Sequence, residues 1–291
     1  MIPRIAITVG DPAGIGPEVA RMAASDPRVL DACEPVLYGP PVSETFEAGQ
    51  LSGEAGRAAY EAIVRAVDDV RSGKVAAIAT APVNKEAFRL AGLPWNGHTD
   101  LLAHLAGVQD VAMMFHSEAL RVVLATIHVP LAAVPSLLTA ESLQATIRLT
   151  ACELPRFGYP RPRIAVAGLN PHAGEHGLFG REEETAIRPA VAAARAAGID
   201  VSGPFPADTL FVRARRGEFD VVVACYHDQG LIPVKLLSFG QVVNVTLGLP
   251  FVRTSVDHGT AFDIAGRGVA DPGSMIAATL LATKLVRKSV P

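Results

Sequence analysis

Three histidines stand just past the C-terminal ends of buried, strand-like runs. His128 closes "VVLATIHVP", His172 follows "IAVAGLNP" and His227 follows "VVVACY". In open α/β sheets ligands gather outside those strand ends. Three imidazoles converging there would make a divalent metal centre with an open position, as in catalytic zinc sites. The separations along the chain are long, so a second reading stays open, in which each imidazole makes its own hydrogen bond at a strand end. The stretch "CYHDQG" after "FDVVV" is the sharpest case, because a buried strand ending on Tyr226, His227 and Asp228 delivers polar groups to an edge.

A second set of residues suits an anion. In "NGHTD", His98 and Thr99 fall at a helix start, where free N–H groups and the helix dipole favour negative charge. A plain threonine cap with Asp100 in the first turn accounts for the same pattern. Lys235, Asn244 and Arg253 lie in apolar surroundings, "IPVKLL", "VVNVTL" and "FVRTS". A lysine and an arginine there need anionic partners if buried, or they reach the surface along their aliphatic stems. "SVDHGTAFDIAG" places Asp257, His258 and Asp263 beside glycines, which suits a ligand loop or an ordinary turn. "GDPAGIGPE" lacks the G-x-G-x-x-G spacing of a dinucleotide fingerprint. Gly10, Gly14 and Gly16 read as a tight turn walling a site, with Pro17 starting a helix. No residue is assigned to a nucleotide cofactor.

These groups must be held by a sizeable scaffold. The chain has 291 residues, 49% hydrophobic and 19% charged, with a formal net charge of −3, enough for two lobes. No basic block with interleaved aromatics points to nucleic acid, and no apolar run approaches the ~20 residues of a membrane span. Cys33, Cys152 and Cys225 are odd in number and far apart, which argues against a disulfide frame and for a reducing cytoplasm. The opening "MIPRIAITVG" lacks the order of a signal peptide.

Short apolar runs alternate with helical patterns. "RIAITV", "PVLYG" and "VAAIATAPV" read as strands. Residues 53–73 read as an amphipathic helix, with Tyr60, Ile63, Val64 and Val67 on one face. "NKEAFRLAG" reads as a short helix closed by Gly92. "DVAMMFH" and "LRVVLATIHV" read as an antiparallel pair. Then come a helix capped by Thr139, the strand "RIAVAGLNP", the helix "EEETAIRPAVAAARAAG", the strands "FDVVVACY" and "QVVNVTLG", and a terminal helix around "SMIAATLLATKLV". The alternation implies α/β layers on a mostly parallel sheet with an antiparallel insertion. No clean linker separates the lobes, so they share strands or exchange segments.

Taken in order, "GDPAGIGPE", "TAPVNKEAF", "GHTDLLA", "IHVPL", "LNPHAGE", "YHDQGLIPVKLL" and "VNVTLGLPFVRTSVDHGTAFDIAG" resemble the 4-hydroxythreonine-4-phosphate dehydrogenase family, enzymes of the pyridoxal-phosphate (pyridoxine biosynthesis) pathway and their relatives. The resemblance runs from residue 4 to about residue 285, and the ordered set is highly specific. It implies an α/β fold of two α/β/α lobes similar to isopropylmalate and isocitrate dehydrogenases, a homodimer, and a site in the interlobe cleft near the dimer interface. The first lobe would hold 1–109 and about 255–291, the second 110–254 with dimerisation elements.

The implied activity is NAD- or NADP-linked oxidation of a secondary alcohol in a small phosphorylated hydroxy acid, followed by decarboxylation. Candidate substrates are 4-hydroxythreonine 4-phosphate and sugar-acid phosphates. The alternatives are a same-fold dehydrogenase of a non-phosphorylated substrate, such as a cyclic diol carboxylate, and a non-catalytic binding relative. By the resemblance, His128, His172 and His227 hold a divalent metal such as zinc, magnesium or cobalt, with one of them supplied by the partner subunit. His98, Thr99, Lys235, Asn244 and Arg253 hold the substrate, and Asp208 is a candidate acid/base. One departure stands out: between "PVLYGPP" and the helix at 53 the chain is some tens of residues shorter than the family pattern, which bears on the edge of the first lobe.

Overall fold

The computed structural model describes residues 2–41 and 43–288. The chain divides into two compact units, Met1–Gln109 with Gly240–Pro291, and Asp110–Phe239. The first is therefore discontinuous. Residues 240–254, expected in the second lobe, group with the first because their strands pair there.

The first unit opens with β1 (Arg4–Thr8), α1 (Gly16–Ser25), α2 (Pro27–Ala32) and β2 (Glu34–Tyr38). Pro17 occupies the first helical turn of α1, where no N–H partner is needed. Among the described residues no strand intervenes before α3 (Gly53–Arg71), whose N-terminus is capped by Ser52 accepting from the Ala55 N–H. Then follow β3 (Ala77–Thr80), α4 (Lys85–Leu90) capped by Asn84, and α5 (His98–Ala106).

The second unit starts with the expected antiparallel pair, β4 (Ala112–His116) and β5 (Arg121–Leu124). Next are α6 (Val134–Leu137) and α7 (Ala140–Glu153), the latter closed by a reciprocal Thr139–Ser142 capping box. The remainder is β6 (Ile164–Ala167), α8 (Arg188–Ala196), β7 (Val201–Phe205), α9 (Ala207–Arg215), β8 (Val221–Ala224) and α10 (His227–Ser238). The chain returns to the first unit through β9 (Val243–Leu247), β10 (Val252–Ser255) and α11 (Gly273–Lys288). The strands β7 and β10 and the helices α9 and α10 add to the elements read from sequence.

In the first unit the strand order is β2-β1-β3-β10-β9, parallel except for β9 against β10. Alternate residues face opposite sides of a strand, and the two sides have different cover. Ile5, Ile7, Ala77 and Ala79 pack with Val19, Val29, Met275 and Ile276 of α1, α2 and α11. Each large aliphatic side chain so buried contributes about 1.5–3 kcal/mol. The opposite side faces α3, as the Tyr38 hydroxyl bonded to Asp69 at 2.8 Å shows. In the second unit the order is β4-β5-β8-β6-β7, parallel from β5 onward. Its strands β6 and β8 are buried throughout, the pattern of parallel strands covered on both faces.

Candidate active site

The α3 side of the first sheet carries a polar row. Thr8, Thr80 and Ser255 are register partners on β1, β3 and β10, and Asn244 on β9 lies opposite Ser255. Arg253, two residues before Ser255, shares that side. Its side chain is 2% exposed. Nη2 donates to Thr80 Oγ1 at 2.7 Å and Nη1 to Thr246 Oγ1 at 2.9 Å, while the Nε–H finds no acceptor. Burial pulls the guanidinium down to about 9, so it stays charged at neutral pH. These partners are hydroxyls, not carboxylates. A buried cation in such company is costly until an anion arrives.

His98 is the first residue of α5. The helix has no side-chain cap at its N-terminus, and Gly97, rather than Thr99, takes the cap position. Asp100 instead accepts from the Asn96 N–H. Burial first, and the Arg253 charge second, push the His98 imidazole well below its ordinary value, so it is neutral at pH 7. Among the described residues His98 Nε2 and Asn244 Oδ1 are buried without partners. Buried polar atoms are nearly always hydrogen-bonded, so three orphans (Arg253 Nε, His98 Nε2, Asn244 Oδ1) mark a place for a ligand that both accepts and donates. Thr99 follows in the first turn of α5.

The glycine turn forms a neighbouring wall. Ile15 N–H donates to the Thr260 carbonyl at 3.0 Å, and a Cβ on Gly14 would stand 2.8 Å from that oxygen. Asp11 Oδ1 accepts from Ala13 N–H at 2.9 Å, while Oδ2 is buried without a partner. Burial raises the carboxyl above its ordinary value. Thr8 Oγ1 and His258 Nε2 are orphaned as well. Asp257 is tied to Ser274, whose hydroxyl donates to its carboxylate at 3.2 Å, whereas Asp263 is exposed.

In the second unit His128 lies beyond β5 and His227 opens α10, and their ring centroids are 5.6 Å apart. Both line a cavity of about 270 Å³ with Val129, Val134, Tyr226 and Asp228. His227 Nδ1 donates to Asp228 Oδ1 at 2.7 Å. That bond fixes the tautomer and leaves Nε2 as a lone-pair donor, the usual arrangement behind a metal-ligating imidazole. The donor set therefore fits a divalent cation. Among the described residues no three His, Cys, Asp or Glu side chains of the one chain are grouped as a metal requires.

His172 is held apart, on the turn Pro171–Gly177. Here His172, Ala173, Glu175 and His176 all have positive φ, between 42° and 57°. Left-handed backbone costs about 1–2 kcal/mol per non-glycine residue. The turn is secured from below by Glu183, which is buried and accepts from Asn170 N–H at 2.7 Å and Asn170 Nδ2 at 2.9 Å. A Cβ on Gly174 would stand 2.6 Å from the Glu183 carboxylate, so only glycine fits. His172 is exposed, its ring 6.2 Å from that of Phe179. Asp208 is exposed in the first turn of α9, and Lys235 is half-buried on α10.

Sequence reasoning did not reach Thr80, Thr246, Ser255, Asp11 or Glu183. The available signal was a hydroxyl or carboxylate closing a buried run, as in "IAT", "VRTS" and "VGD".

Comparison with known proteins gives the chain its relatives. Residues 17–282 match the family described as pyridoxal phosphate biosynthetic protein PdxA. A 4-hydroxythreonine-4-phosphate dehydrogenase of Desulforapulum autotrophicum is 47% identical over 321 residues, covering 96% of this chain and 94% of the relative. A D-threonate 4-phosphate dehydrogenase of Salmonella typhimurium is 44% identical, covering 97% and 98%. The crystal structure of 4-hydroxythreonine-4-phosphate dehydrogenase from Klebsiella pneumoniae superposes with a TM-score of 0.89 at 43% identity, covering 98% of each chain. Isocitrate dehydrogenase from Methylococcus capsulatus, at 17% identity and a TM-score of 0.52, shares the fold. The first alignment is 321 positions long against 291 residues here, so that relative carries segments this chain lacks. With its fold, its ordered motifs and nearly its whole length shared in this way, the chain belongs to the PdxA family and is an oxidoreductase similar to the 4-hydroxythreonine-4-phosphate dehydrogenases.

Proposed function

We propose that the chain is a metal- and NAD-dependent dehydrogenase of a small phosphorylated hydroxy acid, 4-hydroxythreonine 4-phosphate or a sugar-acid phosphate such as D-threonate 4-phosphate, with decarboxylation after oxidation. The observation that carries this reading is Arg253: a buried guanidinium with hydroxyl partners and an orphaned Nε–H. A phosphate offers the charge and the planar pair of acceptors that such a group takes best. His98, Thr99, Asn244 and Lys235 complete the substrate contacts. The neutral His98 gives a hydrogen bond without adding charge, which leaves Arg253 as the pocket's main cation. Anchoring the phosphate, remote from the reacting carbon, turns binding energy into orientation of the alcohol.

His128 and His227 of one subunit, with His172 of the partner subunit, are the proposed metal ligands. The pairing of the first two in one cavity and the exposure of His172 on its left-handed turn support that division. A divalent cation held there, zinc, magnesium or cobalt, would supply Lewis acidity that lowers the alcohol pKa, and NAD or NADP would supply the hydride acceptor. Asp208 is the candidate group for passing the alcohol proton to solvent. The orphaned atoms of Asp11, Thr8 and His258 beside the glycine turn support that wall as the cofactor's place. A homodimer is supported by the outer stripe of α10, where Ile232, Leu236 and Phe239 are 65%, 83% and 82% exposed. Apolar side chains so displayed usually meet a partner. The three free cysteines fit a reducing cytoplasm. No helix among the described residues is long and apolar enough to cross a membrane.

The test is NADH formation by the purified protein on a panel of hydroxy acids, each with and without its phosphate and with and without added metal. Turnover confined to phosphate esters and dependent on metal is expected. Equal turnover of the dephosphorylated compounds would favour the non-phosphorylated reading, and none at all a binding protein.

A further inference from the structure

Arg253 owes its position to two side chains that no substrate contact requires. We infer that Thr80 and Thr246 are positioning residues that clamp the Arg253 guanidinium with uncharged hydroxyls, so that it meets the substrate phosphate with its plane fixed and its charge undiminished. This rests on the phosphate reading above.

The clamp is built from three strands. Arg253 pairs in register with Ile78, so Thr80, two residues on, rises on the same side of the sheet. Thr246 stands likewise on β9, two residues beyond Asn244. Each terminal nitrogen of Arg253 is thereby pinned from a different strand, at 2.7 Å by Thr80 and 2.9 Å by Thr246. The Thr80 hydroxyl is itself oriented. Ser255 Oγ donates to the Thr80 carbonyl at 3.1 Å, which leaves it a lone pair to accept from Thr80 Oγ1 at 2.9 Å. With its proton committed there, Thr80 Oγ1 turns a lone pair to Nη2. Ser255, Thr80 and Arg253 form one directional chain that contains no negative charge.

The chemistry explains the choice of residue. A carboxylate at either position would hold the guanidinium more tightly, but it would neutralise the charge that the phosphate needs. A hydroxyl gives geometry without compensation. Thr80, Thr246 and Ser255 are all buried, so bulk water does not substitute for them. β-Branched residues also suit a strand for packing alone. Valine keeps that shape, so Thr→Val removes the hydroxyl and its hydrogen bonds, to Arg253 in both cases and also to Ser255 in T80V.

The test compares T80V, T246V, T80S and Arg253→Met with the parent. Calorimetric titration with inorganic phosphate is the direct readout, and the KM–kcat split on the phosphorylated substrate is the second. T80V and T246V are expected to weaken phosphate binding by on the order of tenfold each, and to raise KM more than they lower kcat. T80S, which restores the hydroxyl, is expected to bind within about twofold of the parent. If T80V does not fold, T246V and Ser255→Ala, which removes both bonds that back Thr80 and leaves the Arg253–Thr80 contact itself in place, decide in the same way. Parent-like phosphate affinity in the Thr→Val variants, with binding lost in Arg253→Met, overturns the clamp and leaves the phosphate reading standing. Parent-like affinity in Arg253→Met overturns the phosphate reading and the clamp together.

Discussion

The two units hold their chemistry differently. In the first, Arg253, His98 and Asn244 are buried, and the guanidinium is pinned by hydroxyls of the same unit before any ligand arrives. In the second, two imidazoles share a cavity, and the third expected ligand is displayed outward on a strained turn. On the proposed reading, the first is an anion pocket built within one unit, and the second supplies two of three metal ligands. The contrast teaches where each unit's stability is invested. The first carries the cost of an unpaired buried cation, the second that of left-handed backbone at His172–His176.

The largest effect that sharpens this contrast is on the histidines. His172→Ala and His227→Ala should each lose bound metal and lower kcat/KM by about a thousandfold or more, since Lewis acidity is worth several kcal/mol. Phosphate binding should survive in both. Co-refolding equal amounts of the two inactive variants should restore about a quarter of the sites, because a mixed dimer contains one intact set. No recovery on mixing would break the division of ligands between subunits.

Next in size is the α10 stripe. Leu236→Arg should yield monomer by sedimentation and reduce metal affinity about tenfold or more, because one ligand leaves with the partner. The calorimetric response to inorganic phosphate should stay near that of the parent. A monomer that retains full metal affinity would place all the ligands in one chain.

Smaller again is Arg253→Lys. It keeps the charge but loses the planar fork, so kcat/KM on a phosphorylated substrate should fall about tenfold, equivalent to ~1.4 kcal/mol. Steady-state kinetics with saturating NAD check this, and the KM for NAD should move little.

The smallest effect is on pH. The His98 pKa is depressed in the fold, so the unfolded chain takes up a proton first, near pH ~6.5. Stability from this group is therefore complete above that value and is lost as the pH falls through it. His98→Gln should show a shallower loss of Tm on the acid side than the parent. Parallel Tm–pH curves would mean that the imidazole is not held neutral.

Much of this architecture was legible in the sequence because it is local. The i, i+3, i+4, i+7 pattern of Tyr60, Ile63, Val64 and Val67 gave α3, and Thr139 gave the start of α7. Arg253 stood out by charge in an apolar run. Thr80 did not, because its role depends on register between strands 173 residues apart, and Thr246 did not, because its place opposite Arg253 shows only once the antiparallel pairing of β9 with β10 is known. The turn at His172 was hidden for the opposite reason: its backbone contradicts local propensity and persists only through Glu183 and Asn170. The assignment of 240–254 to the second lobe failed to anticipate that β10 pairs with β3.

Arg253 is the proposed reader of a phosphate on an oxidisable hydroxy acid. Its most direct test is the ratio of kcat/KM for the best phosphate ester to that for the same acid without phosphate, in the parent and in Arg253→Met. The account predicts a ratio of about a thousand or more in the parent, falling by at least tenfold in the variant. A ratio near one in the parent, or an unchanged ratio in Arg253→Met, would contradict it.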